Sequence, residues 1–292
     1  MCAINGILRL DQRAGPPNPD ELIRTSDAMA SRGPDGVGAW ISPGCEIGLG
    51  HRRLAILDLS DAGLQPMSTP DGRYWIVLNG EIYNFRDIRA GLEAKGITFR
   101  TGTDTEVILR LYEHRGEAGL AELRGMFAFA LWDEVGRRLL LARDPNGIKP
   151  LYYSVSGGHL RFASQVKALL TSPEVSARLA PAGIVGFLLW GSVPEPRTLY
   201  ESIVLLPAGH LLEVSQGKLF GPRPLPTPKI PPAPAGASPL EAVRDSVCAH
   251  LVSDVPGRQE SDALMKRQGL GNRSPEEEAH DAGRGESRTD LR

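Results

Sequence analysis

A chain of 292 residues, 41% of them hydrophobic and with a formal net charge of -2, can build one large domain or one domain with a partial second. The charge balance lacks the basic excess of a nucleic-acid binder, and no run approaches the roughly 18 apolar residues of a membrane span. Three cysteines, Cys2, Cys45 and Cys248, are too few and too scattered for a disulfide framework or a local zinc site, so the expectation is a soluble, cytoplasmic chain.

Residues 4–10 read as a strand. The stretch Ala3-Ile4-Asn5-Gly6-Ile7-Leu8 is too short and broken for a signal peptide. At Asn18 a helix-start signature appears: Asn18 as cap, Pro19 at the first helical position and Glu21 three residues after the cap, ahead of Leu22, Ile23 and Met29. That helix is expected to end near Ser31. "RGPDG" reads as a shaped loop, with Gly33 and Gly36 allowing backbone angles that a larger residue would strain, and strands are expected at 37–41 and 47–57.

"YWIVLNGEI", residues 74–82, begins as a strand and breaks into Asn-Gly-Glu. A helix is expected from Phe85 to Lys95, closed by Gly96, and another from Thr103, whose hydroxyl caps it while Glu106 answers from three residues on. Val107, Leu111 and His114 lie on one side of it at helical spacing. Two hairpins follow, one turning at Asp133 to Arg137 and one around Ser156-Gly157-Gly158. Blocks of strands and helices without regular βαβ alternation predict a layered α+β fold with antiparallel pairing.

Between Gly221 and Pro239 stand eight prolines, which are expected to prevent ladder pairing and to form an extended linker. Residues 240–252 resume a helical pattern. Of the 36 residues after Pro256, 15 are charged and seven are Ala, Leu or Met, a composition expected to stay disordered.

Cys2 is the residue with an address. Were Met1 removed, its thiol and its α-amine, of reference pKa about 8, would supply nucleophile and base in one residue. In isolation a small packed cysteine is the ordinary reading, as a solvated arginine is for Arg53, a capping acid for Asp104 and a turn for Asn79-Gly80.

Nine segments in order, "CAINGI", "RGPDG", "GHRRLAILDLS", "QPM", "LNGEIYN", "GTDTEVIL", "LRGMFAFALWD", "ARDPNGIKPLYY" and "RFAS", resemble the glutamine-hydrolysing domain of asparagine synthetases, a class II glutamine amidotransferase of the N-terminal nucleophile hydrolase type. The resemblance implies a four-layer αββα sandwich with Cys2 at the end of an inner strand. It implies Cys2 as nucleophile, Asn79 and Gly80 as oxyanion donors, Arg53 on the substrate carboxylate, and Asp104 with Glu81 on the substrate ammonium. Arg32 and its loop would shape the pocket rim. Arg143, Asp144 and Lys149 read instead as a structural turn and ion-pair network facing a partner domain.

Two positions depart from the family pattern. Ala3 replaces the usual Gly, where its methyl is expected to crowd the thiol or to force a small backbone adjustment, and Gln165 replaces the usual Glu.

The resemblance divides the chain into an amidotransferase domain at 2–215, a proline-rich linker at 216–239, a remnant of a synthetase domain at 240–256 and a charged tail at 257–292. The glycine-rich Ser-Gly-Gly-x-Asp-Ser loop that would hold ATP pyrophosphate does not occur in the sequence. L-Glutamine is therefore the expected partner and needs no cofactor for its hydrolysis, with ATP and Mg²⁺ belonging to the full-length family only. A separate synthetase domain and a homo-oligomer stay open as partners, as does an idle or regulatory fragment that binds a synthetase. A different amidase of the same nucleophile type is a third reading, which Arg53 with Asp104 opposes.

Overall fold

The chain alternates strands and helices in the order β1 (Ala3–Arg9), α1 (Pro19–Asp27), β2 (Gly36–Ile41), β3 (Ile47–Arg53), β4 (Met67–Ser68), β5 (Tyr74–Ile82), α2 (Phe85–Glu93) and α3 (Asp104–Arg115). There follow β6 (Gly125–Asp133), β7 (Arg138–Arg143), β8 (Tyr152–Ser156), β9 (His159–Ala163), α4 (Val166–Leu169), α5 (Pro181–Trp190), β10 (Val204–Leu205), β11 (His210–Ser215), β12 (Lys218–Pro224) and α6 (Pro239–His250). These elements come from a computed structural model that describes residues 2–58, 60–226 and 238–250.

The chain divides into two units, Met1–Lys229 and Ile230–Arg292. In the second, the described part is α6, which carries Leu240, Val243 and Val247 exposed. The tail at 257–292, residues 227–237 of the linker and residues 251–256 of the remnant lie outside the described residues.

The first unit holds two antiparallel sheets, ordered β10-β8-β9-β1-β3-β2 and β12-β11-β7-β6-β5-β4. Their inner faces meet in one apolar layer, where Ile4, Leu8, Leu49 and Phe162 from the first sheet pack with Val77, Ala130, Trp132 and Leu141 from the second. Strand side chains alternate between faces, so Ala3 and Ala163 point the other way, onto Met29, Ala168 and Leu169 of the helical layer outside. On the far side α3 lies against β5 and α2 against α3. The result is the αββα stack, all-antiparallel within each sheet.

Local chemistry accounts for the helix starts. The Asn18 side chain accepts from the Asp20 and Glu21 amides at 2.8 and 3.2 Å, and Thr103 accepts from the Glu106 amide at 3.2 Å. The Glu106 carboxylate does not close a capping box but takes the amides of Arg100 and Thr101 instead. Gly96, at φ +83°, supplies the left-handed turn after α2.

Several expectations change. The first helix stops at Asp27, with a short 3-10 turn at Ala30–Arg32, and Ile23 is exposed. β3 ends at Arg53 rather than continuing to 57. His114, in the last turn of α3, is exposed although Val107 and Leu111 on the same side are buried. Gly33 has φ -142°, so its conformation is ordinary; a Cβ there would stand 2.4 Å from the Arg52 carbonyl carbon, and close backbone approach is what excludes a side chain.

The prolines also behave differently from expectation. Pro222 and Pro224 lie within β12, which pairs with β11 and carries the sheet past 215. An edge strand accommodates them because its outer side needs no ladder donors. In α5, Pro181 opens the helix and Gly191 closes it at φ +70°, while Phe187, Leu188, Leu189 and Trp190 stay exposed.

One ion pair is built into the stack. Arg161 on β9 donates from Nε to Glu21 Oε1 at 2.5 Å, both side chains nearly buried. Burial works to raise the Glu21 pKa, but the Arg161 hydrogen bond and its charge leave it below the ordinary carboxylate range. That contribution to stability is present at neutral pH and is lost as pH falls through the lowered value. R161M should strand Glu21 and cost about 3 kcal/mol, whereas E21M/R161M should recover most of the loss. Thermal melts of the two variants check this, and equal Tm values would contradict it.

Candidate active site

At one end of the inner layer the apolar packing gives way to polar side chains. Cys2 and Ile4 share a face of the first strand, His51 and Arg53 share the corresponding face of β3 with Leu49, and Asn79 and Glu81 continue the face of β5 that carries Val77. All these side chains therefore point between the sheets. A cleft of about 540 Å³, including its open mouth, is lined by Cys2, Arg53, Asn79, Gly80, Glu81 and Asp104, so the fold brings all six expected residues together.

The antiparallel register sets Ala3 opposite Arg52, which brings Cys2 up to the end of β3. Its Sγ accepts from the Leu54 amide at 3.4 Å and stands 3.6 Å from the Leu54 carbonyl, toward which the thiol donates. Arg32 Nε donates to the Cys2 carbonyl at 3.2 Å, so this arginine holds the backbone of the thiol residue. Burial pushes the Cys2 thiol up from its ordinary value, with the Leu54 amide working against that rise. Ala3 faces the outer helical layer, fully buried among apolar groups, and its methyl does not crowd the thiol.

Arg53 is buried and donates through Nη1 to the Ser60 carbonyl at 2.7 Å and through Nη2 to the Asp58 carbonyl. A Cβ on Gly63 would lie 2.4 Å from Nη2, so glycine makes room for the guanidinium. The bonds to Ser60 and Asp58 use two of the five guanidinium N–H groups and fix the plane of the fork.

Asp104 opens α3, and its Oδ2 accepts from the Ile82 amide at 2.9 Å. Burial, with the Glu81 charge adding to it, raises its pKa to about 6. Asn79 is fully buried, and neither its Nδ2 nor its Oδ1 has a hydrogen-bond partner among the described residues. An unsatisfied buried amide costs stability, which is a reason to look for a ligand that completes it. At Gly80 a Cβ would meet the Met126 carbonyl oxygen at 2.3 Å, so the close approach of β6 excludes any side chain there.

His51, also inward, is not a base for the thiol. It is 1% exposed and burial lowers its pKa to about 3, so the ring is neutral; Nε2 lies 3.2 Å from the Leu78 carbonyl, a contact that the Nε2–H tautomer satisfies.

Gln65 and Lys149 are among the cleft-wall residues that the sequence did not place there. Gln65, from the "QPM" segment, takes the Leu78 amide at 2.6 Å and donates to Thr105 Oγ1 at 3.0 Å, tying β5 to the start of α3. Lys149 lines the cleft and is buried, rather than facing a partner domain. Its neighbour Arg143 is likewise internal, donating to the Lys149, Leu206 and Gly147 carbonyls and pairing with Glu195 at 3.0 Å. Asp144 does form the expected turn, accepting from the amides of Asn146 and Ile148. Nothing in "NGIKP" distinguishes an inward lysine from a solvated one.

The stack of two antiparallel sheets and this cleft define an amidotransferase architecture. Residues 1–223 match the family described as the glutamine amidotransferase domain, and the chain belongs to that family. It is 37% identical over 270 residues to asparagine synthetase [glutamine-hydrolyzing] 1 of Bacillus subtilis, covering 88% of this chain and 41% of that protein. A putative asparagine synthetase [glutamine-hydrolyzing] of Mycobacterium tuberculosis is 38% identical over 220 residues, 70% of this chain and 34% of the relative. The chain thus spans about two fifths or less of the length of these relatives. The fold is shared with the glutamine phosphoribosylpyrophosphate amidotransferase of B. subtilis at a TM-score of 0.55 and 19% identity, over 75% of this chain and 48% of that one. No described helix is long and apolar enough to cross a membrane.

The raised pKa of Asp104 has two measurable consequences. Its carboxylate is neutral below about pH 6, so the apparent affinity for a cationic ligand group should fall as pH drops through that value. Because the folded state holds this proton more tightly than the unfolded state, Asp104 contributes less to stability as pH rises from about 4 to 6. D104N should accordingly raise Tm at pH 7 while weakening ligand binding, and a lower Tm with unchanged binding would refute both assignments.

Proposed function

We propose that this chain hydrolyses L-glutamine to glutamate and ammonia through a thioester on Cys2. The observation that carries the reading is Asn79: a fully buried amide with both ends unpartnered, in the same cleft as the chain's second residue, a cysteine. An N–H donor held ready with no ground-state partner suits an oxygen that becomes negative only during reaction.

Each end of glutamine has a counterpart. The remaining donors of Arg53 suit the α-carboxylate, and Asp104 with Glu81 suits the α-ammonium. With Met1 removed, the Cys2 α-amine takes the thiol proton, and the sulfur attacks the side-chain amide carbon. The Asn79 amide and the Gly80 N–H receive the oxyanion. Collapse breaks the C–N bond, the departing nitrogen takes the proton from the ammonium of Cys2, and ammonia leaves. Water then cleaves the thioester, releasing glutamate and restoring the thiol. The names of the longer relatives suggest asparagine synthesis as the fate of the ammonia, with the acceptor chemistry supplied by a synthetase domain.

Purified chain lacking Met1 should release ammonia from glutamine, and C2A should abolish that release without loss of fold by circular dichroism. R53A and D104A should chiefly raise KM, because the groups they meet are charged in substrate and transition state alike. N79A should chiefly lower kcat, by about 100-fold, because its partner charge exists only in the transition state. Steady-state kinetics separate the two patterns; a pure KM effect for N79A would remove it from the oxyanion role.

A further inference from the structure

Lys149 is 3% exposed, on the segment joining β7 to β8, and lines the cleft that holds Cys2. A lysine there loses the hydration of its ammonium, which is tolerated when opposite charge replaces the water. The charged and titratable groups that act on it are Glu81 from β5, Arg32 from the 3-10 turn, Cys2 ahead of β1, and Asp144 from its own turn.

Of the two acids, Asp144 is already committed. Its Oδ1 accepts from the Asn146 and Ile148 amides at 3.1 and 3.0 Å, and its Oδ2 from the Lys149 and Phe127 amides at 2.9 and 3.3 Å. Glu81 also lines the cleft, and its charge is the strongest attraction acting on the Lys149 ammonium. The cleft then carries Arg53 and Lys149 against Glu81 and Asp104, a balanced set that fits a zwitterion and leaves the thiol in a neutral rather than an anionic surrounding.

We propose that Lys149 is a positioning residue of this cleft: buried in the same wall as Glu81 and Asp104, its ammonium offsets the acids around Cys2 and favours the thiolate that attacks the substrate. The proposal rests on the glutamine reading in taking Cys2 as the nucleophile. The groups acting on Cys2 include Arg53 from β3, Asp104 from α3 and the Leu54 amide, and Lys149 lines the same cleft. Burial lowers the Lys149 pKa, and the attraction of Glu81 and Cys2 acts to restore it. Arg32 opposes both, which is why the acids matter.

The test is the pH profile of Cys2 alkylation by iodoacetamide in a C45A/C248A background, measured with Met1 removed. K149M should move the midpoint of reactivity up by about one pH unit, and K149R should hold it near the parent value. On glutamine, K149M should lower kcat about tenfold at neutral pH with little change in KM. A K149M midpoint equal to the parent's would overturn the proposal, as would K149R shifting as far as K149M while folded.

Should K149M fail to fold, the same coupling is read from the lysine side, because it is reciprocal. In C2S, ¹⁵N NMR should show the Lys149 Nζ titrating at lower pH than in the parent, and an unchanged midpoint would reject the idea. A parent chain whose Cys2 reactivity depends on Lys149 but which releases no glutamate would reject the glutamine reading and leave this one standing.

Discussion

The antiparallel register between the first strand and β3 is the constraint on which the site depends. Pairing Ala3 with Arg52 places the sulfur beside Leu54 and sends Cys2 and Arg53 into the same space between the sheets. A slip of one residue would turn the thiol outward onto Met29 and Ala168, where Ala3 now packs. The flanking pairing with β9 locks the strand from the other side, so this register is held by two neighbours at once.

The second constraint is energetic. Along most of its length the inner layer is a close-packed apolar core, and its polar end concentrates Arg53, Glu81, Asp104 and Lys149 with little water. Such groups are stable only as a mutually compensating set, and several have been committed to the backbone: Arg53 to the carbonyls of Asp58 and Ser60, Asp104 to the Ile82 amide. These commitments hold the charges in place before a substrate arrives, which spares the ordering cost at binding. Asn79 differs from these, with both ends of its side-chain amide unsatisfied among the described residues.

Glycine and glutamine serve the same end by opposite means. Gly33, Gly63 and Gly80 remove a side chain where backbone or guanidinium must pass closely, and Gln65 adds one that reaches from the β4 side of the sheet to both β5 and α3. The cleft walls are thus set by the spacing of strands as much as by the residues that touch a ligand.

What the sequence determined by itself was local. Asn18 and Thr103 cap helices through their own neighbours, Gly96 closes one, and the hairpins turn where polar or Gly-Gly segments interrupt apolar runs. The six residues of the cleft were also legible, because their motifs occur intact and in order. Tertiary structure decided what depends on distant partners. Strand parity together with long-range register sent the Ala3 methyl outward and the Cys2 sulfur inward, and His114 lies in solvent although helical spacing sets it beside Val107 and Leu111. An edge position let Pro222 and Pro224 sit in a strand. Lys149 belongs to the same class: nothing within "NGIKP" says which way a lysine turns, and only the meeting of β5, the first strand and the β7–β8 segment puts its ammonium inside the cleft. Caps and turns involve groups a few residues apart, whereas the surroundings of a buried charge are assembled from segments separated by most of the chain.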